Sequence, residues 1–169
     1  MVKGVVVSLV LVGAAPRFLP AEPKEEDAAV ERTRRTVRML DDVYKAAVVL
    51  ITDKYVHDED DFPAGSAAIA LFDAVRKKGW HDVRLLDVTG EPYDAKNRPR
   101  DEFEKKAAEQ LRKGRDYVES IESTPDGRFL RAATAIPVVM PKCTMCHPHY
   151  KDVPAGRAVG MLSYRLRIE

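Results

Sequence analysis

Tyr117-Val118-Glu119-Ser120-Ile121, then Thr124-Pro125-Asp126-Gly127, then the apolar-rich run from Phe129 to Val139, is the stretch from which the fold can be read. Two β-prone segments joined by Pro-Asp-Gly turn chemistry predict a hairpin. Further on, Val159 to Ile168 sets Val159, Met161 and Ser163 against Leu162, Tyr164 and Leu166, the period of a closing strand. Before the hairpin, the aliphatic and β-branched run Val83 to Val88 ends in Thr89-Gly90-Glu91-Pro92 and reads as a strand and turn. Four such runs predict a mostly antiparallel sheet.

Helical periodicity fills the rest. From Lys24 to about Asp53, Val37, Leu40, Tyr44, Ala47 and Ile51 step by three and four, as on one face of a long amphipathic helix. A second helix is expected from Pro63 or Ser66 to Lys78, with Ile69, Leu71, Phe72 and Val75 available for burial and Gly79 as a left-handed stop. Between the two, His57-Asp58-Glu59-Asp60-Asp61 lacks the spaced oxygen ligands and central glycine of a calcium loop and reads as a solvated break. Asn97-Arg98-Pro99 turns the chain into a third helix from about Arg100 to Lys113, with Phe103, Ala107 and Leu111 on one face and Gly114 at its end. The resulting order, helix, helix, strand, helix, strand, strand, loop, strand, predicts an α+β domain with helices on one side of the sheet. The first helix is expected to lie partly outside the compact body, where it either mediates a homodimer or packs back on the sheet.

The 169 residues suffice for one domain with a sizeable core. Lys and Arg number 28 against 27 Asp and Glu, and without a basic stripe there is no footprint for nucleic acid or an anionic membrane. Lys3 followed by the apolar stretch Gly4 to Ala15 resembles an export signal, too short to span a bilayer. Small residues allow cleavage after Ala14 or Ala21, the second preferred because charged sequence starts at Glu22. The alternative is retention as an anchor. The expected division is a signal peptide over 1–21, helix and linker over 22–63, and the main domain over 64–169, in a periplasmic or other extracytoplasmic location. No nucleophile with its base, distinct carboxylate pair or phosphate loop points to an enzyme.

Both cysteines lie in Cys143-Thr144-Met145-Cys146-His147, which leaves no disulfide framework elsewhere. In a C-x-x-C-H run the two thiols can add across the two vinyl groups of one haem, and the adjoining imidazole becomes the proximal iron ligand. Cys143, Cys146 and His147 are therefore the expected haem c site. A zinc site would have to draw Cys143, Cys146, His147 and His149 from a cramped run. A dithiol-redox pair belongs at a helix N-terminus after a strand, and no helix signal stands out here. The sixth iron ligand is left open among His81, His57 and Met140; His149 is close in sequence to His147, and Met161 and Met39 lie on patterns that look like core. A closed, six-coordinate iron would suit electron transfer with a redox partner protein, and an open one would admit a small diatomic ligand for sensing. Arg98, Arg128, Arg131 and Lys142 are candidate partners for haem propionates, and Tyr150 and Tyr164 could pack on the ring or fill the core.

Asp94-Ala95-Lys96-Asn97-Arg98-Pro99-Arg100-Asp101-Glu102-Phe103-Glu104 ahead of the hairpin, Ile136-Pro137-Val138-Val139 running into Cys143 to His147, and Gly156 and Gly160 before the last strand together resemble the bacterial single-haem c-type domains with a PAS-like fold, a family long catalogued as a domain of unknown function. The resemblance covers roughly Ala67 to Ile168 and is strongest from Gly79 onward. It implies a PAS-like antiparallel sheet with flanking helices, one covalent haem, and an extracytoplasmic sensory or electron-transfer role. Its motif carries over only Cys143, Cys146 and His147. Fold alone is a poor guide to activity, so that role is an analogy.

Overall fold

The computed structural model describes residues 25–58 and 61–169. The expected signal segment lies outside the described residues, as do Glu59 and Asp60 of the acidic break. The elements are α1 (Glu25–Tyr55), α2 (Ala64–Lys77), β1 (Asp82–Asp87), α3 (Glu102–Arg112), β2 (Tyr117–Thr124), β3 (Gly127–Pro137), α4 (Pro141–Cys146) and β4 (Ala158–Arg167). Short 3-10 turns cover Ala95–Asn97 and Pro148–Asp152. The fold is α+β, and the expected long first helix and antiparallel sheet are both present.

The sheet order is β1-β4-β3-β2 with every pairing antiparallel, so the last strand inserts beside the first and becomes interior. Leu85 faces Leu162 across β1 and β4, and Ala133 faces Ser163 across β3 and β4. Where β4 passes Asp87 it carries Gly160, and a Cβ there would stand 3.1 Å from the Leu86 carbonyl oxygen.

The pleat sends alternate β4 side chains into two cores. Leu162, Tyr164 and Leu166 pack with Val37 and Tyr44 of α1 and Ala68 and Phe72 of α2. Met161 packs on the opposite face with Ala107, Ala108 and Leu111 of α3. Helices therefore cover both faces of the sheet, which corrects the expectation of helices on one side. The physical reason was already in β4, because both of its alternating sets are largely apolar, as in a strand buried on both faces.

The first helix belongs to the compact body. Val37 is fully buried and Tyr44 shares a core cluster with Leu130 of β3. Asp41 accepts hydrogen bonds from Thr134 Oγ1 at 2.5 Å and Tyr164 Oη at 3.1 Å, tying α1 to β3 and β4. Burial and the neighbouring Asp41 carboxylate push the Tyr164 phenol well up, which keeps it a donor. The outward side of α1 exposes Met39, Val43 and Leu50, so Met39 is not the core residue its spacing suggested. Leu71 of α2 is likewise 43% exposed instead of packed.

On the α3 face, Glu104 is buried and fully engaged. It accepts from Arg84 Nη1 at 2.5 Å, the Arg100 backbone N–H at 2.8 Å and Ser163 Oγ at 3.2 Å. Asp101 caps α3 by accepting from the Glu104 N–H at 2.8 Å, which starts the helix two residues later than the Arg98-Pro99 turn suggested. Among the described residues no helix is long and apolar enough to cross a membrane.

Candidate covalent cofactor site

β3 ends with a register shift at Ile136 and Pro137, and the chain leaves the sheet there. Met140 is extended, and Pro141, with its φ already set by the ring, opens the six-residue helix α4. The sequence predicts no helix here, and the proline at its first position is the local signal for one. Within α4, Cys143 and Cys146 are three residues apart, so both thiols lie on one helical face. Both are free and half-buried.

His147 leaves the helix at φ −126°, ψ 70°, with its N–H still bonded to the Cys143 carbonyl at 3.2 Å. Its imidazole is held between two tyrosines. The Tyr93 ring stacks at 4.8 Å between centroids and 18° between planes, and the Tyr150 ring at 4.6 Å and 10°. Tyr93 Oη also donates to the Cys146 carbonyl oxygen at 2.5 Å. The His149 ring lies 5.9 Å from His147 at 78°. Burial, and after it the neighbouring His149, lowers the pKa of His147, with Asp87 opposing. The neutral imidazole this favours is the form that ligates iron. Burial pushes the Tyr150 phenol up to about 12, helped by Asp87, Tyr93 and Cys143.

Two ring nitrogens at this place, His147 Nδ1 and His149 Nε2, are buried without a hydrogen-bond partner. Orphaned buried polar atoms are uncommon, and their concentration beside two free thiols points to chemistry rather than packing. Pro148–Asp152 forms a 3-10 turn that sets the His149 ring edge-on beside that of His147, its neighbour in sequence. Tyr93 was not among the sequence candidates. Nothing in spacing relates it to a residue 53 positions away; only the path of the β1-to-α3 connection does.

The other candidates are scattered. His81 Nε2 is 2.9 Å from Tyr44 Oη at the junction of α2 and β1, half-buried in a structural pair. His57 is exposed, its backbone N–H bonded to Asp61 Oδ2 at 2.5 Å. Met140 is half-buried at the start of α4, next to the motif, whereas Met161 is wholly in the α3-side core, as is Tyr164 in the other. Lys142 is not available to a propionate in this arrangement. Its ammonium donates to the Thr52, Asp53 and Val56 carbonyls at 3.4, 2.8 and 2.7 Å and caps the end of α1. Arg131 is paired with Asp101 at 2.8 Å and lies over the Phe103 ring.

The donors fit a tethered cofactor better than a cage. Among the described residues no group of three or more His, Cys, Asp or Glu side chains is placed to hold a metal ion, so Cys143, Cys146, His147 and His149 do not converge as zinc would require. Two unengaged thiols on one helical face, followed at once by an imidazole with an orphaned nitrogen, suit attachment at two sulfurs and ligation by one nitrogen.

A four-stranded antiparallel sheet between helices, with this segment at its end, defines a small α+β domain. The chain belongs to the Tll0287-like family, whose model matches residues 22–163. No curated protein matches it.

Proposed function

We propose that this is an exported c-type haem protein that carries single electrons outside the cytoplasm and passes them to a redox partner protein. The observation that carries the reading is the pair of free thiols on α4 with His147 directly after them, its ring set between Tyr93 and Tyr150. Family membership supports a haem of the c type. Cys143 and Cys146 would hold the haem through two thioether bonds, and His147 would be an axial ligand. When bound, the haem supplies a one-electron iron couple. The chain's own residues contribute the fixed attachment helix, the oriented neutral imidazole and a partly desolvated surround. The protein is read as a carrier and not as an enzyme.

The test is the visible spectrum, oxidised and dithionite-reduced, of protein exported in a host that matures c-type cytochromes. Sharp low-spin reduced bands that carbon monoxide does not move are the expected result. Bands that shift with carbon monoxide would replace the carrier with a ligand-responsive sensor. The double variant Cys143→Ser plus Cys146→Ser should lose the covalent haem under denaturing conditions. A colourless wild-type protein would return the two thiols to zinc or dithiol chemistry.

A further inference from the structure

Tyr93 is held by its contacts with the motif and not by the core. It is 69% exposed, it fills neither core cluster, and the connection that carries it is pinned independently on both sides. On one side, Asp87 accepts from the Gly90 N–H at 2.7 Å and from Thr89 Oγ1. On the other, Asp94 accepts from the Lys96 N–H at 2.8 Å. Between these two anchored turns, one side chain reaches across to the motif and makes two contacts with it. Its ring covers one face of His147, and its hydroxyl satisfies the Cys146 carbonyl, one of the last acceptors of α4 and one without an onward partner in the helix.

We infer that Tyr93 is a positioning residue that straps the Cys143–His147 segment from outside and fixes the plane of the His147 imidazole. Tyr150 covers the opposite face from the segment's own 3-10 turn, so the ring is held like a page between two covers, one local and one from the β1-to-α3 connection. A ring stacked on both faces cannot turn about its Cβ–Cγ bond without breaking one stack. Only its in-plane edge, where the nitrogens lie, stays open to a ligand. The hydroxyl contact adds a second restraint at the point where α4 gives way to His147, the place where a six-residue helix would otherwise fray. The strap itself belongs to the haem-free chain; its effect on an axial ligand rests on the haem reading above.

Two variants separate ring from hydroxyl. Tyr93→Phe keeps the stack and loses the hydrogen bond, and Tyr93→Ala loses both. In the reduced, haem-free full-length chain, the rate at which Cys143 and Cys146 react with a disulfide reagent reads the local opening of α4. Tyr93→Ala should raise it roughly tenfold and Tyr93→Phe about threefold. The melting temperature should hardly move, because the side chain is exposed. In haem-loaded protein, the ferric electron paramagnetic resonance spectrum reads the orientation of the axial imidazole. It should change in Tyr93→Ala and be restored in Tyr93→Phe. Thiol rates within twofold of wild type in Tyr93→Ala would overturn the strap, and so would a loss of melting temperature in proportion to the rate change. A chain that takes up no haem would sink the proposed function while leaving the thiol comparison to decide about Tyr93.

Discussion

β4 and the segment just before it are neighbours in sequence with opposite physical characters. Ala158 to Tyr164 form seven consecutive buried residues, whereas residues 141–153 contain none. The polar groups differ in the same way. In the sheet and the helices packed on it, Thr33, Asp87, Glu104, Thr134 and Ser163 are buried, and each has a hydrogen-bond partner. Among the described residues three buried side-chain nitrogens have none, and two of them, His147 Nδ1 and His149 Nε2, lie in or beside the motif segment, the third being Arg131 Nε on β3. A core satisfies its polar groups internally because leaving one unpaired costs about 1–3 kcal/mol. A site built for a ligand leaves them for what binds.

The sharpest way to break this contrast is to truncate each side of it. Leu162→Ala removes a fully enclosed side chain that packs against α1 and α2, and should cost about 2–5 kcal/mol in chemical denaturation. His147→Ala should cost about 1 kcal/mol or less, because the lost stacking is offset by removal of an orphaned nitrogen, while abolishing a normal low-spin haem spectrum. If His147→Ala proved as destabilising as Leu162→Ala, the segment would be core and the contrast would fail.

Much of this division can be traced in particular residues of the sequence. The hairpin was legible because Pro125-Asp126-Gly127 allows few alternatives, and Gly127 does adopt a φ of +128°. Gly79 ends α2 at a φ of +74°, as its position after Lys77 and Lys78 suggested. The second covered face was also written in β4, where Val159 and Met161 alternate with Leu162 and Tyr164, but it is visible only if both sets are counted as core. Cys143, Cys146 and His147 were legible as a motif because the chemistry is local. Tyr93 and the tight placement of His149 were not, because they depend on where an irregular connection and a 3-10 turn lead the chain. Lys142 beside the two cysteines suggested a propionate partner. Its engagement with the end of α1 depends on a tertiary approach that no local pattern encodes.

A second test bears on the satisfied side alone. Glu104→Ala leaves Ser163, the Arg100 N–H and Arg84 without their shared acceptor and should cost about 1–3 kcal/mol. Haem attachment should be unaffected, since none of these groups touches α4. A Glu104→Ala protein with unchanged stability would show that the network is ornamental to the fold.

The smallest expected effect is on pH dependence. Burial lowers the pKa of His81 below its usual 6.5, with Asp82 opposing. The folded protein thus holds this proton less tightly than the unfolded chain, and stability rises with pH where the unfolded chain binds more protons. This contribution is present above about pH 6.5 and is lost as pH falls through the unfolded pKa towards the lower folded one. Melting temperature should drop between about pH 7 and pH 5, and His81→Gln should make the drop shallower. An equal drop in the variant would assign the effect to other groups.

The ammonium of Lys142 joins two parts of the molecule that the sequence separates by some ninety residues. It rests on carbonyls of Thr52, Asp53 and Val56 while its own backbone is bonded directly to Cys143. Loosening the last turn of α1 would release the Lys142 ammonium that sits one residue before the first thiol. Anchoring a rigid macrocycle at Cys143 would slow amide hydrogen exchange at the end of α1 as well as in α4. The grip of the cofactor segment would then be felt along the helix that covers the Tyr164 face of the sheet.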